Sequence, residues 1–165
     1  MAVTGTILVE PEAGTPHSFG GFSSLVKIRG EQTSGAYSIV EFVFQPGAFA
    51  APHLHERTDE VSYVLEGELG AMVAEEEFRV AAGAFVVRPR GVPHALWNAT
   101  SRPVRGLDIY TPAGFEAFGE ELARRFSSAP PTFEQVAEFG RLHDVIFLPQ
   151  LAPRLVQKYS LRMPG

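Results

Sequence analysis

The chain has no cysteine in 165 residues. That excludes disulfides, thiolate metal sites and iron–sulfur clusters. Lysine is almost missing too, with only Lys27 and Lys158 among 14 basic residues, against 19 acidic ones, for a net charge of −5. A protein that neutralises a phosphate backbone carries the opposite balance, so nucleic acid is not an expected partner. No run approaches the roughly 18 uncharged apolar residues that a membrane helix needs, so no membrane partner is expected either. Met1 to Glu10 has neither a basic segment nor a sustained apolar run. No secretory leader is expected there, and the cytoplasm is the default location.

What is present is an ordinary globular composition, 45% hydrophobic and 20% charged. The length suits one domain, able to bury roughly two-thirds of its unfolded surface. Sixteen glycines and 13 prolines are spread along the chain as punctuation. Between Phe22 and Tyr110 they separate short β-branched and aromatic runs, read as strands at Ser24–Arg29, Ser38–Phe44, Glu60–Leu65, Glu68–Val73, Glu77–Val80, Ala84–Arg88, His94–Asn98 and Val104–Tyr110. Short strands at this spacing indicate an all-β sandwich or barrel. The period changes after Thr111-Pro112, where Phe115, Phe118, Leu122 and Phe126 recur at helical spacing. Thr111 reads as the N-cap with Pro112 in the first turn. Ser127 to Pro131 breaks this helix, and Thr132 with Gln135 forms a capping box for a second. Val145 to Leu148 reads as a last extended piece, and the proline-rich tail from Pro149 carries no assignment.

Two segments carry chemistry. The first runs Gly47-Ala-Phe-Ala-Ala-Pro-His53-Leu-His55-Glu-Arg-Thr-Asp-Glu60 and on to Gly67. Residues two apart in an extended stretch share a face, so His53 and His55 point the same way, and a short turn brings Glu60 onto the next strand. Two imidazoles and a carboxylate suit a first-row divalent metal and leave coordination positions open. The second segment, Gly83 to Asn98, holds Pro89 and Gly91 in a tight turn and offers His94 as a fourth ligand. Inward parity for Glu60 places Ser62 and Val64 inside and Val61, Tyr63 and Leu65 outside. The same rule for His94 places Ala95 and Trp97 outside, so both outer faces need cover from the helices or a second subunit.

These segments resemble the two signature motifs of the cupin superfamily. The first is Gly, five residues, His-x-His, three or four residues, Glu, six residues, Gly. The second is Gly, five residues, Pro-x-Gly, two residues, His, three residues, Asn. Gly47, His53, His55, Glu60 and Gly67 match the first, and Gly83, Pro89, Gly91, His94 and Asn98 the second. The resemblance implies an all-β double-stranded β-helix (jelly-roll) barrel. It would occupy residues 1–111 with an N-terminal arm, and a two-helix extension, 112–165, would pack on it as one domain. It implies one divalent transition metal (Mn, Fe, Co, Ni, Cu or Zn) held by His53, His55, Glu60 and His94, with no ligand role for Asn98. It also implies a homodimer paired through barrel faces.

The sequence after the last strand, Thr-Pro-Ala-Gly-Phe-Glu-Ala-Phe, together with Ile146-Phe147-Leu148-Pro149, is similar to single-domain cupins grouped with quercetin 2,3-dioxygenases. That implies dioxygenation of a small aromatic or enolisable substrate, with Glu60 doubling as the catalytic base. The alternatives are a metal-bearing binding or sensing module without redox turnover, and a metal-dependent isomerase or decarboxylase. His17 and His143 are expected in solvent or capping roles, Glu75-Glu76-Glu77 in a solvated turn, and Phe42, Phe44, Phe49, Asp108 and Tyr110 are candidates for the pocket wall.

Overall fold

Strict alternation builds the barrel. Along Ser38–Phe44 (β3), Asp59–Glu66 (β5) and Val104–Thr111 (β10), buried residues alternate with half-buried ones over nearly the whole strand. This is the period-2 pattern of strands with one face on a core. The computed structural model describes residues 8–162 apart from 15, 20, 127 and 130. The leader reading for Met1–Glu10 falls largely outside the described residues, as does part of the break read at Ser127–Pro131.

The remaining strands are β1 (His17–Phe19), β2 (Phe22–Ile28), β4 (Phe49–Leu54), β6 (Glu68–Val73), β7 (Glu76–Ala81), β8 (Phe85–Arg88), β9 (His94–Trp97) and β11 (Ile146–Phe147). They form two antiparallel sheets, ordered β1-β2-β3-β10-β5-β8 and β11-β4-β9-β6-β7. This is the all-β barrel of two facing sheets that the resemblance implied. Phe42, Phe44, Val64, Leu69, Ala71, Leu96 and Val104 fill the space between the sheets. The parity read from Glu60 holds, since Glu60, Ser62 and Val64 are buried and Val61, Tyr63 and Leu65 are not.

Ala95 and Trp97 do face outward from the barrel interior, and a helix covers them. It is the third of three: α1 (Glu116–Arg125), α2 (Phe133–Leu142) and α3 (Ala152–Tyr159). The expected two-helix extension is thus corrected to three helices. Pro149 and Pro153 hid α3, because proline reads as a breaker although it is well tolerated in a first helical turn. Ala152, Leu155 and Leu161 pack onto Phe49, Met72, Ala95 and Trp97. Glu77 is drawn into this contact, 2.7 Å from Lys158 Nζ and 3.1 Å from Arg154 Nη2, so it is paired and not merely solvated.

Trp97 fits because Gly70 lies opposite it in the ladder. A Cβ on Gly70 would sit 2.0 Å from Trp97 Nε1. Gly70→Ala is therefore expected to cost about 1–3 kcal/mol through overpacking, read as a lowered urea midpoint at unchanged m-value.

A second correction concerns the entry to α1. Thr111 is the last residue of β10, paired with Asp59, and its hydroxyl donates to Ala36 O, so the helix starts at Glu116 and not after Thr111. The Glu116 carboxylate accepts the Gly114 and Gly30 N–H groups and anchors that turn. The Thr132–Gln135 capping box of α2 is present as expected.

Candidate metal centre

Four side chains from three strands and an adjoining turn converge at one end of the barrel interior. His53 lies on β4, His55 one residue beyond that strand's end, Glu60 on β5 and His94 at the start of β9. Each offers one ligand atom, all within 4.8 Å of one another, and all four residues are buried. Glu60 Oε2 lies 2.9 Å from His94 Nε2 and 3.5 Å from His55 Nε2. Two tight connections set these positions. Gly91, with φ of +74° as its place in the turn requires, donates its N–H to His55 O at 2.6 Å. Asp59, next to Glu60, accepts from the Arg90 N–H at 2.8 Å.

The hydrogen bonds show which ring nitrogens are free. The Nδ1 atoms of His53, His55 and His94 lie 2.7, 2.6 and 3.0 Å from the carbonyl oxygens of Ala51, Asp144 and Val92. A carbonyl only accepts, so Nδ1 carries the hydrogen and the Nε2 lone pair points away from it, as in metal-ligating histidines. His55 Nε2 and His94 Nε2 are buried without a hydrogen-bond partner, and both face Glu60 Oε2, which Arg88 Nη1 approaches to 2.8 Å. Two orphaned ring nitrogens beside a buried carboxylate are costly unless something bridges them. Imidazole and carboxylate donors in this arrangement fit a divalent transition metal, so the four residues are positioned to bind one.

Electrostatics agree. Burial, reinforced by the neighbouring imidazoles, pushes His53 well below the usual histidine range, so it is neutral and ready to ligate. Burial opposes charge on Glu60 too, yet Arg88 Nη1 at 2.8 Å and the facing histidines hold its carboxyl well below the usual range. Burial would lower His55, but the Glu60 carboxylate outweighs it and raises the group. An empty site therefore keeps a proton on His55 below its raised pKa, and a metal must displace it. Metal uptake is expected to weaken as pH falls through that range and to release a proton. Calorimetry in buffers of different ionisation enthalpy reads this directly.

Arg88 was not singled out from the sequence. It precedes Pro89 on β8, and its parity with the inward Val86 was the available signal. It is 2% exposed, and its Nη2 donates to Asp108 Oδ1 and to Ser62 Oγ, both at 2.6 Å. Ser62 in turn donates to Asp108. Burial raises the Asp108 carboxyl despite this pairing, and the neighbouring Glu60 charge adds to the rise against the lowering by Arg88. Tyr110 is raised well above its usual value by burial and by Asp108, so its hydroxyl stays protonated, 3.3 Å from Asp108 Oδ2.

This polar pole opens onto a cavity of about 630 Å³ lined by His53, Glu60, Arg88, Asp108 and Tyr110 and then mostly by apolar side chains, many of them aromatic. Phe42, Phe44 and Phe49 line it, as does Phe115 just before α1. The helices add Phe118 and Phe133, and β11 adds Phe147. The pocket candidates read from the sequence are all there. His17, expected in a solvent or capping role, lies on β1 and lines the same cavity. His143 caps α2, 3.6 Å from Glu121, outside the cavity. Asn98 has no place among the ligands; its amide donates to Phe44 O and Arg102 O and shapes a turn.

Comparison with known proteins agrees with this geometry. Residues 40–110 match the cupin domain family. The transcriptional regulator PuuR of Escherichia coli is 26% identical over 72 residues, 44% of this chain and 39% of the regulator. A germin-like protein of Arabidopsis thaliana, subfamily 2 member 2, is 31% identical over 147 residues, 86% of this chain and 62% of its own length. The chain thus spans less than two-thirds of these relatives.

Among solved structures, a predicted oxalate decarboxylase of Thermotoga maritima has a TM-score of 0.60 at 18% identity, over 64% of this chain and 99% of its own. KdgF of Halomonas sp. has a TM-score of 0.59 at 20% identity, over 66% and 94%. The polyketide cyclase RemF of Streptomyces resistomycificus has 0.57 at 22% identity, over 64% and 79%. At these identities the likeness concerns the fold. With both motifs, the barrel and the buried tetrad in place, the chain carries a cupin domain over residues 40–110.

Proposed function

We propose that the protein is a metal-dependent dioxygenase acting on an apolar aromatic or enolisable substrate that carries one acidic oxygen. The observation that carries this reading is the buried tetrad opening onto a phenylalanine-walled cavity of about 630 Å³. A sugar phosphate would have to shed water from its charges against aromatic carbon, which is costly. A flat aromatic buries its rings there and keeps its single polar edge for the pole. A metal held by His53, His55, Glu60 and His94 would act as a Lewis acid toward a deprotonated substrate oxygen.

The chain's own groups handle the proton. Two carboxylates stand at the pole, and their surroundings divide the work. Glu60 is kept anionic by Arg88, which suits a ligand and opposes proton uptake. Asp108 has a raised carboxyl and one oxygen met only by the Tyr110 hydroxyl. Under this proposal the substrate's acidic proton goes to Asp108 Oδ2, and the proton-accepting role expected of Glu60 passes to it. The aromatic walls exclude water from the site meanwhile.

The test is elemental analysis of the isolated protein, then oxygen uptake on a flavonol panel after reconstitution with each metal. About one metal per chain with flavonol-dependent oxygen consumption supports the proposal. A filled site with no oxygen uptake and tight ligand binding favours a sensing module, the reading in keeping with the similarity to a transcriptional regulator. Product formed without oxygen favours an isomerase or decarboxylase.

We propose further that a second copy covers the outer face of β5 and β8. Phe85 and Val87 are 62% and 57% exposed there, opposite the half-buried Tyr63 and Val61. Light scattering is expected to give a dimer mass, and Phe85→Glu to shift it toward the monomer.

A further inference from the structure

The carbonyl that orients His55 does not come from the barrel. It belongs to Asp144, 89 residues further along, in the segment that leaves α2. Asp144 takes φ of +63°, and the N–H groups of His143 and Val145 both return to Gly140 O, so the chain turns sharply off the helix toward the ligand strand. The Asp144 carboxylate then accepts from the backbone of Glu56 at 3.1 Å, from that of Arg57 at 3.0 Å, and from Thr58 Oγ1 at 3.0 Å. These three residues are the turn that joins His55 to Glu60. Beyond Asp144 the chain pairs with β4, Ile146 against Leu54 and Phe147 against His53, and Leu148 N donates to Pro52 O at 2.8 Å. The Phe147 ring sits 5.8 Å from the His53 ring.

One short strap therefore touches the surroundings of three ligands. It fixes the His55 tautomer through a backbone carbonyl, the His55–Glu60 turn through a carboxylate, and the His53 strand through β pairing. Partners of this kind orient a ligand and set its readiness to hold a metal. We infer that the segment Asp144–Leu148 is an integral part of the metal centre, with Asp144 as its positioning residue. The inference rests on the metal-centre reading under Proposed function. The helical extension then does more than cover the barrel: it completes the binding site.

The test uses the full-length protein loaded with Co(II), followed by its visible absorption spectrum and by the rate of metal transfer to excess EDTA. Asp144→Gly removes the carboxylate and accepts the positive φ without strain; Asp144→Asn keeps one acceptor oxygen and also tolerates that conformation. Asp144→Gly is expected to release cobalt at least about tenfold faster and to shift the spectrum, with Asp144→Asn in between. Lys158→Ala, which loosens α3 at Glu77 away from the strap, is expected to leave both readouts at wild-type values. A purely structural role would lower the melting temperature of the metal-free variants while leaving spectrum and release rate unchanged, and that result overturns the inference. So does equal acceleration in Lys158→Ala. Wild-type protein that takes up no cobalt overturns the metal-centre reading itself, before any variant is made.

Discussion

Arg88→Met is expected to destabilise the metal-free protein by about 3–5 kcal/mol at neutral pH, the usual cost of removing one partner from a buried ion pair. Met fills most of the arginine's space, so the loss is electrostatic and not a cavity effect. Arg88 is 2% exposed and ion-pairs with both Glu60 and Asp108, so its removal leaves two buried carboxylates without a cation. The sign of the pH dependence follows. Glu60 is depressed in the folded state, so its contribution is present above the unfolded carboxylate pKa of about 4.3 and is lost as pH falls through the folded value. The gap between wild type and variant is therefore widest near neutrality and narrows in acid. Urea denaturation across pH measures it, and a gap that does not change with pH would contradict the assignment. Saturating metal is expected to recover part of the loss, since a divalent cation at the tetrad again offsets the Glu60 charge.

The second large effect is catalytic. On whichever flavonol supports oxygen uptake, Asp108→Asn is expected to lower kcat by about 100-fold or more, the usual range for a lost general base. Its metal content should stay at the wild-type level, because Asp108 is not among the ligands and Asn still accepts from Arg88 and Ser62. The acid limb of the pH–rate profile, where Asp108 becomes protonated, should vanish with it. The groups facing Asp108 are Glu60 and Ser62 from β5, Arg88 from β8 and Tyr110 on its own strand, and among the described residues no histidine hydrogen-bonds to it. Glu60→Gln is expected to behave differently, losing metal and turnover together, because Glu60 is one of the four residues positioned to hold the metal. The reverse pattern, with Glu60→Gln keeping metal but not turnover and Asp108→Asn active, would return the base role to Glu60.

Much of this centre was legible before folding, for a local reason. His53, His55 and Glu60 lie within eight residues, and strand periodicity with one short turn determines which way they face. His94 follows a Pro-x-Gly turn whose geometry is equally local. Glycines and prolines mark the strand ends, so an all-β sandwich or barrel and the inward parity of Glu60, Ser62 and Val64 could be read directly, and the likeness to the two motifs chose the barrel. The sequence by itself therefore determined the fold class, the four metal-ready side chains and several aromatic wall positions.

Only the tertiary structure decided what surrounds them. Arg88 meets Glu60 and Asp108 because β5 lies between β8 and β10, an order that no local pattern encodes. The Asp144 carbonyl reaches His55 only after two intervening helices have packed, and α3 finds Trp97 because Gly70 leaves room for the indole. Each contact joins residues far apart in the chain through the packing of whole elements. Short-range periodicity carries no information about such packing, which is settled by how the sheets and helices bury one another.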